Sequence, residues 1–249
     1  MKRLVLAGLF GAVIACASPT PPEATEFPGP PAGRFGILFI GNSLTYFNDL
    51  PGMVDALLAQ SAGTPVSVIS QAFPDFGLED HWVTPSTRAA VAAGWDLVIM
   101  QQGPSATEGR PSLLEYSHRF ATEIRAAGGE PALYMVWPSS SRDFDFDGVS
   151  DSYRAAADSA NGLLFPAGEA WRAAWRRDES LALYGQDGFH PSVLGSYLAA
   201  LVIYEQVSNS DLAALPLSTP ETLGFFMAPD SVVRVLHEAA AEANDRFAR

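Results

Sequence analysis

The chain has 249 residues, 48% of them apolar and 17% charged, with 15 basic side chains against 28 acidic ones and a single cysteine. That is enough apolar material for one well-buried core, and it argues against a chain that stays disordered. A net charge of -13 gives the surface a negative field, which excludes nucleic acid as a partner, and one cysteine excludes an internal disulfide.

Residues 1–15 open with Lys2 and Arg3 and continue as an almost wholly apolar run from Leu4 to Ala15, the pattern of a secretory signal peptide. The run is shorter than the roughly 20 apolar residues a membrane helix needs. Val13-Ile14-Ala15-Cys16 resembles a bacterial lipobox, which implies cleavage before Cys16 and lipid on that residue. Cleavage removes Lys2 and Arg3, so 13 basic residues face 28 acidic ones, a charge of -15, and no free thiol remains for cysteine catalysis. Residues 16–33 hold the lipidated cysteine and a stretch with six prolines and no apolar period, an extended spacer. At about 3.1 Å per residue it would reach roughly 50 Å. The expectation is an exported protein tied to the membrane only through its N-terminal lipid, with the uncharged Ala17 favouring the outer membrane.

From residue 34 to 249 the pattern is one domain of short apolar runs separated by stretches of helical period, the signature of alternating strands and helices. Residues 35–40, 66–72 and 95–101 read as strands covered on both faces. Residues 50–62 read as a helix, and 112–127 as another closed by Gly128-Gly129. A strand is expected over 132–137, a helix over 150–160 and a short strand over 162–166. Residues 192–206 form an apolar helix, and Asp230 caps a final helix running to about 247. The fold class is α/β, with about five parallel strands between helices in a three-layer α/β/α sandwich.

In open parallel sheets ligands collect at the carboxyl ends of strands. The first expected strand ends in Gly41-Asn42-Ser43-Leu44-Thr45, where the glycine allows a sharp turn that presents the serine. This is not the G-x-S-x-G elbow, because Thr45 stands at the last position. Near the other end lies Asp187-Gly188-Phe189-His190-Pro191. A serine hydroxyl needs a base, histidine is the side chain whose charge changes near neutral pH, and an aspartate three residues earlier can orient it. The same residues also suit a turn and a helix cap.

Ser43 in its G-N-S-L setting, Gly77 before Leu78, and the D-x-x-H block at Asp187 and His190, in that order over residues 34–204, resemble the SGNH or GDSL-type hydrolases. The resemblance implies a flavodoxin-like fold and an acyl-enzyme route with Ser43 as nucleophile, His190 as general base and Asp187 as its orienting partner, without metal or cofactor. It also implies an oxyanion hole made by the amides of Ser43 and Gly77 and by an asparagine side chain. No asparagine stands at the third position, where the chain reads Met100-Gln101-Gln102-Gly103. Gln101, with Gln102 as the second choice, is the expected substitute, because the related pattern L-Q-x-x-S begins with glutamine. Asn42 replaces the usual aspartate. The expected substrate is a small-molecule or polysaccharide ester, carrying a short acyl group such as acetyl. Alternatives are O-acyl transfer on the same fold, and a glycan-binding lipoprotein without catalysis.

Four further features stand outside this pattern. His81 lies just after Gly77 and is expected to be structural, while His118 and His237 are expected at surface or interhelical positions. No histidine has the H-E-x-x-H spacing of a zinc hydrolase. Asp143 to Gly148 matches the start of a calcium loop but has Arg154 where the bidentate glutamate belongs, so a solvated acidic loop is expected. Phe73, Phe76, Trp82 and Trp137 suit either substrate stacking or the core, and Trp171 and Trp175, four apart, suit helix packing.

Overall fold

The computed structural model describes residues 27–60, 65–217 and 228–247. The leader, Cys16 and most of the proline-rich stretch lie outside the described residues. Phe27 packs against the core, so the chain joins the folded unit ahead of Arg34.

Five parallel strands form one sheet in the order β2-β1-β3-β4-β5: β1 Phe35–Gly41, β2 Val66–Ala72, β3 Leu97–Met100, β4 Glu130–Tyr134 and β5 Leu163–Phe165. This is the flavodoxin-like order. β1 and β3 are apolar and buried nearly throughout, which is what helices on both faces demand. β2 differs from the expectation. It is only partly buried along its length, because it forms the sheet's edge.

The main helices are α2 Leu50–Leu58, α3 Leu78–Val83, α4 Pro85–Ala92, α5 Arg110–Ala126, α6 Phe146–Ala160, α7 Ala167–Arg177, α8 Val193–Ser208 and α9 Asp230–Phe247, with a one-turn helix α1 Ser43–Tyr46 directly after β1. α2, α7, α8 and α9 pack together, and α3, α4, α5 and α6 pack as a second group, giving three layers. α8 is buried along most of its length, as its apolar sequence requires, between α2, α7, α9 and β5. No helix among the described residues is long and apolar enough to cross a membrane.

The strand order places the site. β1 is the first strand in sequence but sits second in the sheet, and the chain's crossovers run to opposite sides of it. A crevice therefore opens beyond its carboxyl end, between the loops that follow β2 and β3.

Candidate active site

The nucleophile candidate sits in a turn whose first position has no room for a side chain. A Cβ at Gly41 would lie 2.2 Å from Thr45 Oγ1 and 2.5 Å from Gln101 Oε1, so the close approach requires glycine. Asn42 then caps α1, its Oδ1 accepting the Leu44 amide at 3.1 Å, while its Nδ2 donates to Phe76 O at 2.9 Å. Ser43 follows as the first residue of α1 and lines a cleft of about 400 Å³ with Phe76, Gly77, Gln102, Ser105 and Phe189. The Ser43 amide takes no acceptor among the described residues.

Gln101 does not occupy the place expected of it. Its Oε1 accepts the Asn42 amide at 3.0 Å and the Thr45 hydroxyl at 2.8 Å, and its Nε2 donates to Asn42 Oδ1 at 3.0 Å and Gln102 O at 2.6 Å. Both amide hydrogens are committed and the side chain is buried, which leaves none for a substrate oxygen. The reason is that Gln101 still continues the sheet, its amide donating to Ile40 O at 2.8 Å, so its side chain turns toward β1 beneath the serine. Gln102 does reach the cleft, but its Nε2 donates to Ser105 Oγ at 2.8 Å and Gly109 O at 3.0 Å.

Gly77 lies across the cleft as the N-cap of α3, and its amide donates to Asp80 Oδ2 at 2.8 Å. His81, one turn into α3, is fully buried. Its Nε2 meets Gly41 O at 2.8 Å and its Nδ1 meets Thr87 Oγ1 at 3.0 Å, with Phe73 and Phe76 against its ring. It therefore faces the strand end behind the serine and not the cleft. Burial is the largest influence on this imidazole and holds its pKa below the ordinary value.

The Asp187–His190 loop contributes Phe189 to the wall of the same cleft. Asp187 Oδ2 lies 2.5 Å from His190 Nδ1, and Oδ1 accepts the amides of Phe189 and His190, each at 3.0 Å. The hydrogen bond from His190, then that from the Phe189 amide, lowers the Asp187 carboxyl to about 2. An ionised carboxylate only accepts, so His190 donates to it from Nδ1, and Nε2 is the ring nitrogen left for other chemistry. Nε2 has no partner among the described residues. The ring stacks on Phe47, centroids 4.4 Å apart and planes 21° apart, and Phe47 is four residues from Ser43. Gly188 has φ +68°, and a Cβ there would lie 2.3 Å from Ser140 Oγ. Trp137 Nε1 donates to Phe189 O at 3.1 Å and Asn48 Nδ2 to Pro191 O at 2.9 Å, so β4's extension and the segment after α1 both hold the loop.

The structure thus brings Ser43, Gly77, Gln102 and Phe189 to one cleft, sets His190 and Asp187 beside it, and places Gln101 under it. Asn42 was read only as a substitution for aspartate, yet it ties together the serine turn, the Phe76 loop and Gln101. Its signal was its place between Gly41 and Ser43. Phe47 and Asn48 carried no sequence signal. Trp137 and Trp171 are fully buried and stacked at 3.6 Å, so they are core residues, whereas Phe76 does line the cleft. The calcium-like run does not converge. Asp145 pairs with Arg142, Asp147 pairs with Arg172, and Phe146 opens α6.

No family model matches this sequence, and no curated protein does. Solved structures do. A protein of Slackia heliotrinireducens assigned to the SGNH hydrolases superimposes with a TM-score of 0.61 at 28% identity, over 70% of this chain and 99% of that one. A DUF4886 family protein from Bacteroides uniformis gives 0.67 at 17% identity, covering 86% and 95%. An acetyl-xylooligosaccharide esterase from Geobacillus stearmophilus, in a mutant form, gives 0.51 at 18%, covering 68% and 93%. The sheet order, with a serine turn after β1 and an Asp–His loop before α8, defines a hydrolase of flavodoxin-like architecture. Within that class, the chain is similar to the SGNH/GDSL-type hydrolases.

Proposed function

We propose that this hydrolase cleaves short acyl esters, acetyl esters of carbohydrates foremost, with Ser43 as nucleophile, His190 as general base and Asp187 as its orienting partner. The observation that carries the reading is the His190–Asp187 pair. Its Nδ1 is committed to an ionised carboxylate and its Nε2 is open, on the loop that walls the cleft containing Ser43. Nε2 takes the serine proton as Oγ bonds to the acyl carbon. The bond from that carbon to the alcohol oxygen then breaks, and the alcohol leaves with the proton. Water repeats the sequence on the acyl-enzyme and releases the acid.

The Ser43 amide is the first oxyanion donor. The Gly77 amide becomes the second when a substrate oxygen displaces Asp80 from it, and Gln101 serves by fixing the turn. Asp75, Glu79 and Asp80 wall the serine's side of the cleft, which suits an acetyl group better than a fatty chain. A fold neighbour that acts on acetylated xylooligosaccharides is consistent with that choice. Export and anchoring through a lipidated Cys16 place such an enzyme at the cell envelope, and Cys16→Ser should move the protein from the membrane fraction to the soluble one.

The decisive assay is p-nitrophenyl acetate hydrolysis by the purified chain beside Ser43→Ala. The variant should lose activity by about a thousandfold or more. Equal rates would overturn the reading.

A further inference from the structure

The cleft does not end at Phe189. A second hollow of about 320 Å³ adjoins it, and the two share Pro104, Ser105, Gly109 and Phe189 as a common wall. Resting on the esterase reading above, we propose that this second lobe is the subsite for the alcohol portion of the substrate, and that it takes an uncharged oligosaccharide.

Placement is the first argument. Phe189, the residue before His190, lines both hollows, whereas Ser43, Phe76 and Gly77 line only the first, so the second lobe lies against the Asp187–His190 loop and not against Gly77. The imidazole must hand its proton to the departing alcohol oxygen, so that oxygen and its substituents leave on the base's side of the tetrahedral carbon. The acyl group then points the other way, toward Phe76 and Gly77.

The chemistry of the walls is the second. Arg142 Nε donates to Asp145 Oδ2 at 2.5 Å, while its two terminal amino groups have no acceptor among the described residues. Ser139 Oγ lies 3.1 Å from Ser141 Oγ, and Glu108 accepts from the Thr107 hydroxyl. The lobe therefore offers free donors beside carboxylate acceptors, interleaved with the apolar faces of Pro104, Ala106, Pro138 and Phe189. A fatty chain placed there would strip water from these polar groups and return no hydrogen bond. An anionic sugar would find one arginine offset by Glu108 and Asp145. A neutral sugar, with hydroxyls that both donate and accept and with apolar ring faces, satisfies all of them.

Strain marks the ridge between the lobes. Ser105 holds φ +57°, an uncommon conformation for a residue with a side chain, and is fixed there by Gln102 Nε2 at 2.8 Å and by its own bond to Gly103 O at 2.9 Å.

The test compares two substrates on the full chain: an acetylated neutral xylooligosaccharide and p-nitrophenyl acetate, which has no sugar to fill the second lobe. Arg142→Ala should lower the ratio of kcat/KM for the oligosaccharide to that for p-nitrophenyl acetate by about tenfold, mainly through KM, as one lost charge-assisted contact predicts. Ser139→Phe, which fills the lobe, should lower the same ratio at least as far. Ratios unchanged in both variants overturn the subsite. An acetylated uronate oligomer preferred over the neutral one overturns the claim that the ligand is uncharged. The esterase reading stands or falls separately, because Ser43→Ala must abolish turnover of both substrates whatever the second lobe does.

Discussion

The two halves of the candidate site are built in opposite ways. Ser43 stands on a buried lattice in which Asn42, Thr45, Gln101 and His81 bond to one another, to the ends of β1 and β3, to Phe76 O and to the Thr87 hydroxyl. His190 and Asp187 sit on a surface loop, their side chains 25% and 52% exposed, held by a ring stack, a glycine turn and a few bonds to neighbouring segments. The nucleophile must be placed to a fraction of an ångström, and a buried lattice does that. The base must exchange protons with alcohol and water, and a solvent-facing imidazole can. Substitutions should therefore cost stability in the first half and rate in the second.

The largest expected effect tests the base's side. Asp187→Asn cannot enforce the Nδ1–H tautomer, so kcat should fall by about a thousandfold or more while the melting temperature stays within about 2 °C, the site being exposed. A collapse of stability instead would mean that the loop is structural. On the other side, Gln101→Leu strands the Asn42 amide and the Thr45 hydroxyl in the core, and chemical denaturation should register a loss of about 2–4 kcal/mol. A stable Gln101→Leu protein would break the comparison.

Protons separate the halves a second way. Burial keeps His81 and His237 neutral in the folded state, their pKa values lowered, while the unfolded chain protonates at the ordinary imidazole value. The nearby Gly41 carbonyl and Asp80 oppose this at His81, and the Leu212 carbonyl does so at His237, but burial prevails. Between the lowered and ordinary values the unfolded state binds more protons, so stability is complete above about pH 6.5 and declines as pH falls below it. Thermal melts from pH 7.5 to 5 should show that decline, and His81→Gln should flatten it. The Asp187 carboxylate, lowered to about 2, contributes nothing over this range.

The smallest effect concerns the junction between the halves. Asp80→Ala frees the Gly77 amide at the cost of a helix-capping bond, about 0.5–1 kcal/mol. A severalfold rise in kcat is expected if Gly77 is an oxyanion donor. A fall would remove Gly77 from that role.

The sequence by itself determined the sheet and the chemistry that depends on near neighbours. Short apolar runs predict all five strands, and β1 and β3 are legible because a run buried between helices has little freedom to be anything else; residues 66–72 match β2 end for end although it lies half-buried at the sheet's edge. The Asp187–His190 pair was equally legible, since its spacing of three is closed by local hydrogen bonds. α3 and α4 were missed because their apolar residues are too sparse to show a period. Only the tertiary structure decided the fate of Gln101, whose partners lie 56 and 59 residues away, and the stacking of Phe47 on His190. It also decided that Phe189 divides the cleft in two. The physical reason is common to all three: a side chain's direction at a strand end is set by whatever crosses that end, and the crossing segments come from remote parts of the chain.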